Sequence, residues 1–196
     1  MPDRLPDATL DQIFLKARTR RGWDPDAVPA ALLREIYTLA RMGPTASNGN
    51  PGRFLFLVSE AAKQKLSPFM SGGNRARTLA APVNVIMAYD LNFAQYYPLL
   101  NPRAVRAADA PEDAAETLET AFRSGTLQAA YLMLAARSLG LDCGPMSGFD
   151  QEGVNAAFFA GTRWRANFIC NIGHGNDEHL HPRAPRLEFE QACEIL

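Results

Sequence analysis

Ser124-Gly-Thr-Leu-Gln-Ala-Ala-Tyr-Leu-Met-Leu-Ala-Ala136 carries no charged side chain in thirteen residues, and from Ala129 to Ala136 it is apolar on every helical face. A helix of that kind is expected to be buried all round. It is too short to cross a bilayer, which takes roughly 20 apolar residues, so it reads as the core helix of a soluble protein with the chain wrapped around it. Pro111, Glu112, Asp113 and Glu116 supply the proline and early carboxylates that favour a helix start, and Gly140 suits the residue just past its end. Start to stop, these signals predict a helix of about 28 residues, roughly 42 Å long.

The rest of the composition fits that frame. At 196 residues, 47% hydrophobic and 21% charged, the chain suits one globular domain, 1–196, with a sizeable core. A formal charge of −1 and a pI near 6.3 provide no global field for nucleic acid or an anionic membrane, so any anion site must come from a local arginine cluster. The expected partner is a small molecule. Cys143, Cys170 and Cys193 are odd in number and widely spaced, which suits a reducing compartment. Asp3 and Asp7 with no apolar run give no signal-peptide pattern, and the expected location is cytoplasmic.

Working outward along the chain, Leu10, Ile13, Phe14 and Ala17 form an apolar stripe on a first helix that ends in Arg18-Thr-Arg-Arg-Gly22. Basic residues at a helix C-terminus also suit the helix dipole and by themselves need no function. Leu32, Leu33, Ile36, Tyr37 and Ala40 mark a second helix. Pro44-Thr-Ala-Ser-Asn-Gly-Asn-Pro-Gly52 has no large apolar side chain, so it reads either as a surface turn or as a ligand-facing loop. Arg53 to Ser59 reads as a strand covered on both faces. Glu60 to Lys65 reads as a short helix, Asn74 as the N-cap of a helical turn carrying Arg77, and Val83 to Tyr89 as a second buried strand. Tyr89 to Ala110 has little periodicity and is the natural place for a substrate-covering excursion. Asp150 to Phe159 reads as a helix and Ala166 to Ile172 as a strand. A further strand follows Gly140 or lies in the tail.

No GxGxxG, GxxxxGK[ST] or GxSxG signature occurs. His174, His179 and His181 are close in sequence, but they sit in a polar stretch without a thiolate, which favours a surface loop over zinc. No nucleophile–base pair is evident, which directs attention to chemistry carried by a bound cofactor.

In order, the pieces Arg18-Thr19 with Arg21 before Gly22-Trp23, Gly43-Pro-Thr-Ala-Ser-Asn48 with Asn50-Pro51 and Arg53-Phe54, Asn74 with Arg77 before Ala81-Pro82-Val83, Gly140-Leu141, Gly144-Pro-Met-Ser-Gly-Phe-Asp150 and Arg183 to Arg186 resemble the nitroreductase family. The resemblance implies an α+β fold with a mixed sheet of four to five strands flanked by helices, assembled as an obligate homodimer with FMN at the interface. NADH or NADPH is the implied electron donor. Arg18, Thr19 and Arg21 with Arg186 and Arg183 are then the phosphate clamp, a role for which guanidinium groups are suited. Asn74 and Arg77 match the residues at the flavin's pyrimidine edge. Thr45 and Asn48 match positions that reach the flavin of the other subunit, and Gly148 a backbone position beside its hydride-accepting nitrogen. Arg20 and Arg21 are interchangeable in this reading.

Leu33-Arg-Glu-Ile-Tyr37, Gly144-Pro-Met-Ser-Gly-Phe-Asp150 with Ala157-Phe-Phe-Ala-Gly161, and Pro185-Arg-Leu187 with Phe189-Glu-Gln-Ala-Cys193 are similar to the malonic semialdehyde reductase subfamily of pyrimidine degradation. That similarity implies reduction of malonic semialdehyde to 3-hydroxypropanoate. The alternatives are a broad nitroaromatic or quinone reductase and, in another class, a non-catalytic helical dimerisation module. Ser147 stands where many family members have glutamate, and Gly52 where many have tryptophan. Arg53, Arg103 and Arg106 are the candidates for a cation over a substrate carboxylate, and each is equally readable as a surface arginine.

Overall fold

The computed structural model describes residues 3–103 and 114–196. Four strands, β2 (Gly52–Leu57), β3 (Val83–Asp90), β4 (Asp142–Met146) and β5 (Trp164–Gly173), form a sheet of order β2-β3-β5-β4. A small ribbon pairs β1 (Gly22–Trp23) with β6 (Gly175–Asn176). The strand expected after Gly140 is β4. The pairings between these strands are all antiparallel, and the one parallel element among the described residues is the isolated bridge of Thr19 to Cys143 beside β4. The long helix does return the chain so that β3 and β4 run in the same direction, but β5 inserts between them and opposes both.

That long helix, α6, spans Ala115–Ser138. It ends as its sequence predicts: Gly140 takes φ +83°, its N–H bonds to Arg137 O, and Leu141 N–H bonds to Ala136 O, the two bonds of a Schellman stop. Its start signals at Pro111 to Asp113 lie outside the described residues. The all-round burial expected for it is only half true within one chain. Ala121, Ser124, Gly125, Gln128, Ala129, Leu132, Ala135 and Ala136 face inward, while Leu118, Phe122, Leu127 and Tyr131 are exposed. Small inward residues let the helix lie close on β3: a Cβ at Gly125 would stand 2.9 Å from that of Tyr89.

β3 is buried at all eight positions because it has helices on both faces. Its alternation sorts the core into two layers. Val83, Val85 and Met87 join Leu33, Ile36 and Ala40 of α2 (Ala30–Ala40) and the inner face of α6. Ile86 and Ala88 join Leu66, at the end of α3 (Glu60–Leu66), and Val154 of α7 (Gln151–Phe158). Asp150 caps α7 by accepting from Gly153 N–H at 3.0 Å, as Ser59 caps α3 through Ala62 N–H at 3.2 Å.

Three further expectations are corrected. β2 is an edge strand and mostly half-buried, not covered on both faces, since apolar continuity does not reveal whether a strand has a second neighbour. The first helix is a single turn, α1 (Asp7–Leu10), that widens into a π-turn at Asp11–Leu15, so the i, i+3, i+4 stripe loses register and leaves Phe14 and Leu15 exposed. Helix α4 (Gly72–Ala80) starts at Ser71, which places Asn74 inside it rather than at its cap. Part of the unread excursion folds: Phe93–Tyr96 is a 3₁₀ turn leading into α5 (Tyr97–Leu100), and Phe93 and Tyr97 pack with Tyr89 and Ala121. Residues 104–113, with Arg106, lie outside the described residues. A last helical turn, α8 (Phe189–Ala192), stands in a tail exposed from His181 onward.

Candidate functional site

The end of β4 and the start of α4 meet at one carbonyl. Gly148 O accepts from Ser71 N–H at 3.0 Å, Ser71 Oγ at 2.7 Å and Asn74 Nδ2 at 3.1 Å. Arg77, one turn on, donates from Nη1 to Asn74 Oδ1 at 3.3 Å and so fixes which way that amide faces. Asn74 is thus bonded to both Gly148 and Arg77, which brings these three residues together. The reason for glycine at 148 is more local than expected: a Cβ there would stand 2.5 Å from Ser71 Oγ and 2.9 Å from Asn74 Nδ2.

The far end of α4 is pinned as well. Its last carbonyls accept from buried side chains: Arg77 O from Asn171 Nδ2 at 3.0 Å, Thr78 O from Asn84 Nδ2 at 3.0 Å, and Leu79 O and Ala81 O from Lys63 Nζ at 3.4 and 3.3 Å. Asn84 also donates to Asn171 Oδ1 at 2.8 Å across β3 and β5. Buried donors aimed at a helix C-terminus satisfy carbonyls that would otherwise lack partners.

The basic N-terminal segment lies along the start of β4. Thr19 pairs with Cys143, and Arg20 N–H bonds to Cys143 O at 3.1 Å. From there to Gly148 the strand runs roughly 16 Å, with Arg18 to Arg21 at one end and Asn74, Arg77 and Gly148 at the other. Arg20 is committed to structure, since its guanidinium lies 3.4 Å from Asp142 and 2.5 Å from Asp177. Burial works to lower its pKa, but the Asp177 hydrogen bond and then the field of Asp142 outweigh this and raise it. Half-buried Arg21 has no such ion pair, so the two arginines are not interchangeable.

The C-terminal arginines divide. Arg183 Nη2 donates to Leu15 O and Ala17 O at 2.8 and 2.9 Å, and Arg18 Nη2 reaches His181 O, so the tail does return to the basic segment. Among the described residues Arg186 bonds to Ala184 O and Pro185 O of its own segment and not to Arg18 or Thr19. Arg183 is thus brought to the residues just before Arg18, and Arg186 is not. The order in sequence could not show which tail arginine turns back.

Thr45 and Asn48 stand apart from this group. Their loop bonds to Leu100, Asn101, Ser124 and Gln128, and among the described residues none of its hydrogen bonds reaches Arg18, Asn74 or Gly148. Asn48 Nδ2 donates to Leu100 O at 2.9 Å, and its Oδ1 accepts from Asn50 Nδ2 at 2.9 Å. Thr45 Oγ1 accepts from Asn50 N–H at 3.2 Å. The loop borders a cleft of about 990 Å³ lined by Arg34, Tyr37, Arg41, Arg53, Tyr96 and Trp164, among others. Arg53 is engaged there: it lies 2.7 Å from buried Asp90, donates to Asn50 O and Gly52 O at 2.9 Å, and stands over the Tyr96 and Trp164 rings at 5.3 and 5.7 Å. Its charge is already matched, unlike a free cation awaiting a carboxylate. Arg103 is exposed. Ser71, Gln128 and Asp90 are site-supporting residues that sequence reading missed. Only Ser71, before Gly-Gly-Asn, carried a local signal, that of a helix cap.

Among the described residues, no three His, Cys, Asp or Glu side chains are grouped to hold a metal ion, and no helix is long and apolar enough to cross a membrane.

The protein-family model for the nitroreductase family matches residues 14–174. A Caulobacter vibrioides protein, provisionally named NADH dehydrogenase/NAD(P)H nitroreductase, is 50% identical over 193 residues, 98% of this chain and 99% of that one. A Stenotrophomonas maltophilia protein with the same provisional name is 50% identical over 197 residues, covering 100% of both chains. In fold, the chain is similar to an Exiguobacterium sibiricum protein described as a nitroreductase, again provisionally, and solved in complex with FMN: TM-score 0.82, 20% identity, 100% of both chains covered. With a family match over most of its length and relatives at half identity end to end, the chain belongs to the nitroreductase family.

Proposed function

We propose that this chain is an FMN-dependent NAD(P)H oxidoreductase that works as a homodimer and reduces malonic semialdehyde to 3-hydroxypropanoate. The observation that carries the flavin reading is the arrangement along β4: a basic segment at Arg18 to Arg21, then an amide, a guanidinium and a side-chain-free backbone at Asn74, Arg77 and Gly148. This suits a ligand with an anion at one end and a flat hydrogen-bonding ring at the other. Arg18, Thr19 and Arg21, with Arg183 holding the segment in place, bind the phosphate. Asn74 presents its amide to the pyrimidine edge, and Arg77 orients that amide and adds a positive charge that favours an electron-rich ring. Gly148 leaves the ring face open. Thr45 and Asn48, distant in hydrogen bonding from this group, serve the site of the second subunit. Bound FMN supplies the hydride chemistry, and NADH and the acceptor use the same face in turn.

A dimer has surface available. Leu118, Phe122, Leu127 and Tyr131 on α6, Phe14 and Leu15, and Leu187 and Phe189 in the tail are all exposed in one chain. The broad quinone or nitroaromatic alternative is favoured by one observation, the large cleft walled by Tyr37, Tyr96 and Trp164, which exceeds what a three-carbon acid needs. Two measurements decide. Purified protein, alone or incubated with FMN, is expected to show flavin absorbance; a colourless protein that takes up no FMN refutes the cofactor reading and favours a non-catalytic module. With excess NADH or NADPH, kcat/KM for malonic semialdehyde is expected to exceed that for a nitroaromatic or a quinone. The reverse ranking replaces the substrate and leaves the flavin reading intact.

A further inference from the structure

The loop before β2 is held in an unfavourable shape. Ser47, Asn48 and Asn50 adopt φ of 51°, 55° and 46°, three non-glycine residues in the left-handed region within four positions. The one glycine among them, Gly49, has φ −70° and serves packing instead: a Cβ there would stand 2.9 Å from the Phe93 ring. A conformation of this kind persists only where the surroundings fix it from several sides.

Two polar residues on the otherwise apolar inner face of α6 do so. Ser124, 2% exposed, accepts from Ala46 N–H at 3.2 Å, before the left-handed run. Gln128, 3% exposed and one turn on, accepts from Gly52 N–H at 2.7 Å, after it. Its Nε2 donates to Asn50 Oδ1 at 3.2 Å, and Asn50 in turn donates to Asn48 O and Oδ1. Gly52 is the complementary residue: a Cβ there would lie 2.7 Å from Gln128 Oε1. The absence of a bulky side chain at 52 is thus what admits Gln128 to the loop.

We propose that Gln128, assisted by Ser124, is the positioning residue of the 45–52 loop, and that it thereby sets the orientation in which Thr45 and Asn48 are offered to the flavin of the second subunit. The cofactor part rests on the flavin reading above; the part concerning the loop does not. Gln128 acts through Asn50 and touches no reacting atom. Buried polar residues are costly on an apolar helix face, and here each satisfies a backbone N–H that no strand or helix reaches.

The test uses Gln128→Met, similar in volume but without either hydrogen bond, and Ile36→Val as a core control that touches no part of the loop. In cofactor-free protein, hydrogen exchange across residues 45–52 is expected to be about tenfold faster in Gln128→Met, with strand 83–90 unchanged. In the same variant the FMN dissociation constant is expected to rise about tenfold, and the visible circular dichroism of bound flavin to change. Ile36→Val leaves all three as in the wild type, and Gln128→Glu, which keeps an oxygen for Gly52 N–H, recovers part of the loss. Unchanged exchange at 45–52 overturns the proposal, and so does faster exchange with unaltered FMN affinity and dichroism. Wild-type protein that binds no FMN overturns the flavin reading and the positioning role together, an outcome visible before any variant is made. Ser124→Ala, which removes a single acceptor, carries the same comparison where Gln128→Met does not fold.

Discussion

At residue 148 a single hydrogen atom separates a tight junction from a clash. Gly148→Ala is expected to destabilise the fold by about 1–3 kcal/mol, because its methyl would press on Ser71 Oγ and Asn74 Nδ2. Ser71→Ala in the same chain is expected to return part of that loss, since the nearest clashing atom is then gone. Urea midpoints of the two single variants and the double variant measure this, and strict additivity would refute the clash. The neighbouring arginines separate by the same kind of reading. Arg21→Ala is expected to weaken FMN by about 1.5–3 kcal/mol with little change in melting temperature. Arg20→Ala, which removes the ion pairs to Asp142 and Asp177, is expected to lower the melting temperature first. Fluorescence titration and thermal melts of both variants check the assignment, and the opposite pattern exchanges their roles.

At the scale of elements, two strand pairs carry buried chemistry that must be matched in place. Arg53 on β2 and Asp90 at the end of β3 form a close ion pair, the carboxylate side chain only 3% exposed. Arg53→Met is expected to cost about 3–5 kcal/mol by leaving that carboxylate buried and unpaired, and Arg53→Met with Asp90→Leu to recover much of it. Equal urea midpoints for wild type and Arg53→Met would refute this. On β5, Cys170 is fully buried beside Cys143 of β4 and donates to Asn171 O at 3.4 Å; the neighbouring Cys143 thiol first, and then burial, push its pKa well above the ordinary thiol value. A thiol that keeps its proton when folded and loses it when unfolded contributes stability below pH 9 that declines as the pH rises past that point. Between pH 9 and 10, where the buried tyrosines contribute alike to both chains, Cys170→Ala is expected to flatten the fall in unfolding free energy by up to about 1.4 kcal/mol per pH unit. Denaturant titrations at the two pH values test it; an unchanged slope would be contrary.

At the scale of the whole molecule, the exposed apolar side chains of α6 are the deciding feature. One chain buries the face toward β3 and leaves Leu118 and Phe122 on one flank of that face, and Leu127 and Tyr131 on the other, exposed. Sedimentation of the apo-protein at micromolar concentration is expected to show a dimer. A stable, folded monomer would count against the assembly and against any role for Thr45 and Asn48 in a second subunit's site.

What the sequence determined by itself follows from local rules. Three strand segments, the stop of α6 at Gly140 and the ordered pieces that resemble the family are each legible within a dozen residues, because periodicity and left-handed glycine are properties of neighbours along the chain. Asn74, Arg77 and Gly148 could be named in advance through that resemblance, although they are 74 positions apart at the widest. Tertiary structure alone decided the rest. That β5 would enter between β3 and β4 and make the sheet antiparallel depends on long-range pairing. That Arg20 is consumed by Asp142 and Asp177 while Arg21 is left available, and that Arg183 rather than Arg186 returns to the basic segment, depend on partners more than 100 residues away. Gln128 shows the reason most plainly: in sequence it is a polar residue in an apolar helix, and its meaning comes from the Gly52 and Asn50 groups that folding brings against it.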